Sequence, residues 1–463
     1  MIAKSIIKDL AKIVGKENVL ADLKDLLAYS YDATLRQGMP DVIVFPRSTE
    51  HVSAIMKLSH REKIPVVPRG FGTNVSGGTI PLKGGIIVET SRMNRILEIN
   101  TADRRAVVEP GVVNLDLQNA LAPLGYFFPP DPGSQKCSTL GGNIGENAGG
   151  PMCLRYGVTS KYACGMEIVL ADGQVINIGD YVEDCPGYDL RGLFIGSEGI
   201  LGVATKLTLH IIPTPEASRS MMAIFARLED TGQAVTDIIG AGIVPGAIEL
   251  LDQKLCQAIE QSVSAGYPTD AAGMLLIEVV GLVDTLEKQV QDISEICRKN
   301  KVRELRIAQT NAERDAIWKG RRGAFGAMAR ISPFFVVGDG TVPRDKLPEA
   351  FHKVSEIAAK YKVLIVTLAH AGDGNLHPLI PVDVTNPEEY KAAEKAVHDI
   401  LDACIVLGGT ISGEHGIGLE KIDAMRHMFN PVDIDAMRKV KDIFDPYDIL
   451  NPGKIFPSDT EAP

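Results

Sequence analysis

Although 45% of its residues are hydrophobic, the chain has no run approaching the ~20 apolar residues of a membrane-spanning helix. A transmembrane segment is therefore not expected. The N-terminus, MIAKSIIKDLAKIVGKENVL, lacks an apolar signal core and a small-residue cleavage site, so a cytoplasmic protein is expected. Basic residues are too few and too scattered for a nucleic-acid stripe: Lys and Arg number 48 against 59 Asp and Glu, a net charge of -11. The seven cysteines are an odd number, widely spaced, with no Cys-x-x-Cys. That fits a reducing compartment and leaves no local signature for an iron–sulfur cluster or zinc ribbon. Histidine is also sparse, and none occurs between His60 and His210.

Glycine, by contrast, is abundant and concentrated. The pattern predicts helices from about residue 5 to 29 with a break near Gly15, a buried strand over 42–46, a helix over 49–63 and a strand over 65–68, the last three a small α/β unit. Directly afterwards, Arg69-Gly70-Phe71-Gly72-Thr73-Asn74-Val75-Ser76-Gly77-Gly78 combines four glycines with hydroxyl and amide side chains. Glycine permits positive φ and close backbone approach, so successive N–H groups can converge on an anion. Phosphate binding is expected, with a solvated surface loop as the alternative. The spacing is not Gly-x-Gly-x-x-Gly and no long helix pattern follows, which argues against a Rossmann fold. A second tract runs through 130–134, 139–144 and 147–150 to Gly157, and a third covers 196–202. Together they imply one large ligand touched by backbone at many points. Between them lie strand signals at 85–89 and 106–111, a helix at 114–124, a hairpin at 165–170 and 175–178, and a strand at 205–211. Pro213-Thr214-Pro215 then marks a domain boundary, beyond which strands and helices alternate.

The stretch VLIVTLAHAGDGNLHP, residues 363–378, reads as strand, turn, strand. Doubling back would bring His370 and His377 together, a pair that suits a divalent transition metal; two unrelated loop histidines are the alternative. Ser412-Gly413-Glu414-His415-Gly416-Ile417-Gly418 adds a carboxylate and a third imidazole. His370, His377 and Glu414 then form a three-ligand set with open positions, as in catalytic sites, which zinc, iron and manganese all tolerate. A further helix is expected over 419–429.

RGFGTNVSGG, DPGS…TLGGNIGENAGG…YG and GSEGILG resemble the flavin-binding loops of the vanillyl-alcohol-oxidase type of FAD enzymes. GDGNLHP, SGEHGIG and DPYDILNPGKIF resemble the branch containing D-lactate dehydrogenases, glycolate oxidase flavin subunits and D-2-hydroxyglutarate dehydrogenases. The resemblance implies an α+β fold. An FAD-binding domain of two α+β subdomains would occupy 1–214, and a substrate or cap domain, α/β with antiparallel sheet, 215–407. The segment 408–463 would return to the FAD domain. It further implies that Pro68, Arg69, Gly70, Gly72, Thr73, Asn74, Ser76, Gly77 and Gly78 hold the FAD pyrophosphate. Pro132, Gly133, Ser134, Thr139, Gly141, Gly142, Asn143, Asn147, Gly149, Gly150, Gly157, Glu198, Gly199 and Ile200 would wrap the rest of the cofactor, with Asn451 from the tail. With no histidine in these loops, non-covalent FAD is expected, and Cys137, Cys153 and Cys164 are better read as small hydrophobes than as anchors.

The same resemblance implies oxidation of a small 2-hydroxy acid, D-lactate or glycolate, to the 2-oxo acid by hydride transfer to flavin. His415 is then the general base and Asn375 a hydrogen-bonding group. Arg321 clamps the carboxylate, as Trp318-Lys319-Gly320-Arg321 resembles the family's Trp-x-x-Arg, with Arg322 as the alternative. The relatives for larger dicarboxylates carry a lysine near Val337; its absence favours a small monocarboxylate. Electrons are expected to leave to an iron–sulfur subunit, an electron-transferring flavoprotein or a quinone. The competing readings are a non-catalytic flavin electron-relay subunit and a metal-free flavin oxidase or transferase of the same fold.

Overall fold

The computed structural model describes residues 2–179 and 187–458; Cys185, one of the seven cysteines counted above, lies outside them. The chain forms two compact units. The first comprises Met1–Gly149, Gly157–Thr214 and Glu414–Pro463, the second Gly150–Tyr156 and Pro215–Gly413.

In the first unit, β1 (Val19–Leu20), β2 (Val42–Val44), β3 (Val66–Arg69) and β4 (Ile86–Glu89) form a sheet in the order β1-β2-β4-β3. β4 runs parallel to both β2 and β3, and only β1 is antiparallel. Val42, Ile43 and Val44 are fully buried, as a parallel strand covered on both faces requires. Each such side chain contributes about 1.5–3 kcal/mol of burial. The crossover helix Thr49–Glu62 begins where Ser48 Oγ accepts from the His51 amide and ends at Lys63 in the left-handed region. Its Val52, Ile55 and Met56 pack with Val44, Val66 and Val88 in one core. The next strands are β5 (Ile96–Asn100), β6 (Arg105–Val108), β7 (Tyr126–Phe127), β8 (Ala163–Val169), β9 (Val175–Gly179), β10 (Val203–His210) and β11 (Ile212–Pro213). They give an antiparallel five-stranded sheet, β5-β6-β10-β8-β9, and a small β7–β11 ribbon. β8 and β9 make the expected hairpin, turning through Gly173 at φ 82°.

Three local expectations need correction. The N-terminal helical stretch is interrupted by more than Gly15, since β1 pairs with β2 between the helices Lys4–Val14 and Leu23–Ala28. The glycine-rich segment 139–144 is not a loop: Leu140–Glu146 is a helix, started by Thr139 Oγ1 accepting from the Gly142 amide. The helix expected over 419–429 is reduced to Met425–Met428. The Leu419 and Glu420 amides donate to Ser76 O.

The second unit is one antiparallel sheet. Its strands are β12 (Ala217–Phe225), β13 (Ala247–Asp252), β14 (Gly273–Gly281), β15 (Glu304–Ile307), β16 (Phe335–Val337), β17 (Gly340–Thr341), β18 (Val366–His370) and β19 (Asn375–Pro381). The order is β15-β12-β14-β13-β18-β19-β16, with β17 also on β19. Leu251, Met274, Leu276, Leu368 and Leu379 of the sheet share a core with Leu255 and Ile259 of the helix Gln253–Val263. Among the described residues, no helix is long and apolar enough to cross a membrane.

Candidate functional site

A cavity lies in the first unit, lined by Pro68, Arg69, Gly70, Gly78, Gly141, Gly142, Glu198 and Gly199 from the expected set, with Glu146, Ser197 and Thr79 in addition. Close approach explains two of the glycines. A Cβ on Gly70 would run into Thr139 Oγ1, and one on Gly141 would lie 2.6 Å from Pro110 Cβ. Gly72 and Gly77, at φ 68° and 80°, turn the loop that follows β3. Asn74 Oδ1 holds that loop by accepting from the Ser76 and Gly78 amides at 2.9 and 2.6 Å. Among the described residues, the amides of Phe71, Gly72, Thr73, Asn74 and Val75 make no hydrogen bond. Buried Ser138 Oγ and Asn143 Nδ2 likewise have no partner among them. Unanswered donors around a glycine-lined cavity fit a large ligand with a phosphate end.

The other expected residues lie outside that lining. Asn451 Nδ2 donates to both Gly78 O and Glu198 O at 2.8 Å, tying two glycine tracts together. Lys454 Nζ adds bonds to Gly78 O and Asn451 Oδ1, each 2.9 Å. Burial pushes this ammonium down to about 8, against the carboxylates Glu198, Asp32 and Glu146. Burial raises Glu198, although its carboxylate accepts from the Ile417 and Gly418 amides. Asn147 ends the helix Leu140–Glu146 in the left-handed region and accepts from the Ser160 amide. The Pro132–Ser138 stretch closes turns in which Pro132 O accepts from Gln135 and Ser134 O from Ser138. At Gly133 a Cβ would meet nothing within 4 Å, so no local crowding requires glycine there. Gly149 is buried and Gly157 turns at φ 84°, whereas Gly150 belongs to the second unit. Ile200 is buried, and its carbonyl accepts from Lys441 Nζ. Of the cysteines considered as anchors, Cys164 is buried, Cys153 partly so and Cys137 exposed.

In the second unit the β18–β19 hairpin forms as expected. It sets His370 opposite Asn375 and Leu368 opposite His377, with Gly374 at φ 78° in the turn. The two imidazoles meet edge to face with centroids 5.0 Å apart, both buried. Behind them is a residue the sequence reading missed. Glu249, on β13 directly across from His370, is fully buried. Its Oε1 lies 2.7 Å from His370 Nδ1, and its Oε2 accepts from Arg321 Nε at 2.6 Å. Burial alone would raise this carboxyl, but His370 and Arg321 together hold it below the usual range. Arg321 and Trp318 share the buried face of the helix Asn311–Arg322, which starts with a Thr310–Glu313 capping box. A Cβ on Gly320 would strike the Tyr267 ring, so glycine lets this helix pack close. Arg322, the alternative clamp, is exposed and donates to Asp315 O.

Asp339 was missed as well. It is fully buried and accepts from Asn375 Nδ2 at 2.9 Å, Ser412 Oγ at 2.8 Å and the Gly413 amide at 3.1 Å. Its Oδ1 is 3.9 Å from His377 Nδ1. Because a carboxylate needs donors, the Asn375 amide must face it, which leaves Asn375 Oδ1 without a partner among the described residues. Glu414 and His415 follow Gly413 and open the last segment of the first unit, His415 Nε2 being 3.8 Å from Glu414 Oε1. The one available signal for Glu249 was an acid inside the otherwise apolar run AIELL, since a charge in a buried strand implies a partner. The donor set of the second unit, two imidazoles with one anchored through Nδ1 by a carboxylate, fits a divalent metal.

Residues 40–179 match the FAD binding domain family, and residues 214–455 match the family described as FAD linked oxidases, C-terminal domain. The glycolate oxidase subunit GlcD of Bacillus subtilis strain 168 is 43% identical, over 99% of this chain and 98% of that protein. A D-lactate dehydrogenase of Anaerostipes hadrus is 32% identical, over 98% of each. Among solved structures, p-cresol methylhydroxylase with substrate bound superposes with a TM-score of 0.79 at 18% identity, covering 99% of this chain and 98% of that one. That likeness extends the vanillyl-alcohol-oxidase type of fold to this chain.

Proposed function

This chain belongs to the FAD-linked oxidases, and from that premise we propose that it oxidises a small 2-hydroxy acid, glycolate or D-lactate, to the 2-oxo acid. The observation that carries the reading is a buried guanidinium and a buried imidazole paired with one carboxylate in the second unit, with a second buried imidazole edge to face with the first. Glu249 takes only the Nε edge of the guanidinium, so the terminal edge is suited to an anionic ligand. Names borne by the relatives, glycolate oxidase subunit and D-lactate dehydrogenase, support the same substrate class.

Non-covalent FAD, when bound in the first unit, supplies the hydride acceptor. His370, His377 and Glu414 would hold a divalent metal, which would supply a Lewis acid for the substrate hydroxyl. Asp339 anchors the Gly413 amide within the second unit. Arg321, with only Nε engaged by Glu249, offers its two terminal amino groups to the substrate carboxylate. His415 accepts the hydroxyl proton at an imidazole nitrogen. Asn375 contributes an acceptor, Oδ1, rather than a donor. The electrons pass to a partner such as an iron–sulfur subunit, an electron-transferring flavoprotein or a quinone, and the word subunit in a relative's name supports such an assembly. The experiment is an anaerobic titration of the flavin-loaded chain with glycolate, D-lactate and L-lactate. Loss of the oxidised-flavin absorbance with glycolate or D-lactate is expected; no loss with either overturns the reading.

A further inference from the structure

We propose that Glu249 is a positioning residue that serves both halves of the substrate site at once, fixing the tautomer of His370 and the direction of Arg321. The proposal rests on the reading of His370 as a metal ligand and Arg321 as the carboxylate clamp. Glu249 sits between Ile248 and Leu250 on β13 with no exposed surface. There an ionised carboxylate is tolerable only when both oxygens are answered. They are answered by different groups: Arg321 Nε on Oε2 at 2.6 Å and His370 Nδ1 on Oε1 at 2.7 Å.

An ionised carboxylate only accepts, so the His370 proton must be on Nδ1 and the ligating lone pair on Nε2. The same carboxylate binds the Nε edge of the guanidinium plane and so sets the direction of the terminal edge. One group thereby defines a metal ligand and an anion clamp that are 49 residues apart in sequence (Arg321 to His370). Glutamine cannot replace it. Its oxygen can satisfy Arg321 only if its NH2 faces His370 Nδ1, which drives the imidazole proton to Nε2. In the opposite orientation two donors meet at Arg321.

The test compares Glu249→Gln, Glu249→Asp and His370→Ala with the parent, all flavin-loaded and stripped of metal. Zn²⁺ is titrated against a chromogenic chelator, and the His370 tautomer is read from the proton–nitrogen NMR spectrum of the imidazoles. Loss of a partner behind a ligand typically lowers metal affinity about 10–100-fold. That loss is expected for Glu249→Gln, with flavin retained and the His370 proton moved off Nδ1. If Glu249→Gln does not fold, Glu249→Asp decides: it keeps the charge but is one methylene too short to hold both partners, and at least a severalfold loss is expected. Parental Zn²⁺ affinity in the glutamate variants, with affinity lost in His370→Ala, overturns the role of Glu249. Parental affinity in His370→Ala instead shows that the metal-site reading has failed.

Discussion

His415 and His377 carry the same side chain, but the proposed mechanism asks different things of them. His377 lies deep in the second unit beside His370, while His415 follows Glu414 in a glycine-rich turn. His415→Asn should therefore keep flavin and metal, still bind substrate, and lose about 10²–10⁴-fold in the rate of flavin reduction, the usual cost of removing a general base. Stopped-flow reduction with D-lactate, alongside metal analysis, checks this; normal reduction once metal is restored would make His415 a ligand and leave the base elsewhere. At this scale the sequence was legible wherever the chemistry is local. His370 and His377 were readable as a pair because a hairpin of known period joins them. Glu249 and Asp339 were not, because their meaning lies in pairings 121 and 36 residues away, with His370 and Asn375. No pattern in their neighbourhoods specifies those partners.

The elements were legible where hydrophobic period and caps agree, as in the crossover helix behind Ser48. They failed where tertiary hydrogen bonds outweigh propensity. Glycine costs a helix about 1 kcal/mol relative to alanine, yet Leu140–Glu146 is helical with three glycines, aided by the Thr139 cap. Conversely, the helix expected from residue 419 forms only over Met425–Met428, and Ser76 O captures the Leu419 and Glu420 amides. That capture brings Leu419 against Gly77, where a Cβ would lie 3.0 Å from the leucine side chain at a backbone φ of 80°. Gly77→Val should thus distort the loop and yield folded protein that retains little flavin. Absorbance of the purified variant checks it, and stoichiometric FAD would remove the loop from the cofactor site.

The stability of the whole molecule should carry a pH signature from Glu89. This residue is buried at the end of β4, bonded to Ser91, and burial raises its carboxyl to about 7 despite Ser91 and Arg69. A carboxyl whose folded value exceeds its unfolded one of about 4.5 contributes stability that is complete below that unfolded value. The contribution is lost as pH rises through about 7. Its size is on the order of 3 kcal/mol. Glu89→Gln has no such proton to lose, so between pH 4.5 and 8 its urea midpoint should fall less than the parent's, measured on flavin-free protein. Parallel pH profiles would count against the raised carboxyl. A last consequence concerns the timing of synthesis. The Gly78 carbonyl is satisfied by Asn451, 373 residues later in the chain, and the same asparagine fastens Glu198. At about 5–20 residues per second of translation, the first half of the cradle waits on the order of half a minute for its clasp. Meanwhile every residue of the second unit has already been made. A ribosome paused between Gly413 and Asn451 should therefore carry a nascent chain whose second unit is fully synthesised while Gly78 and Glu198 still lack their asparagine clasp.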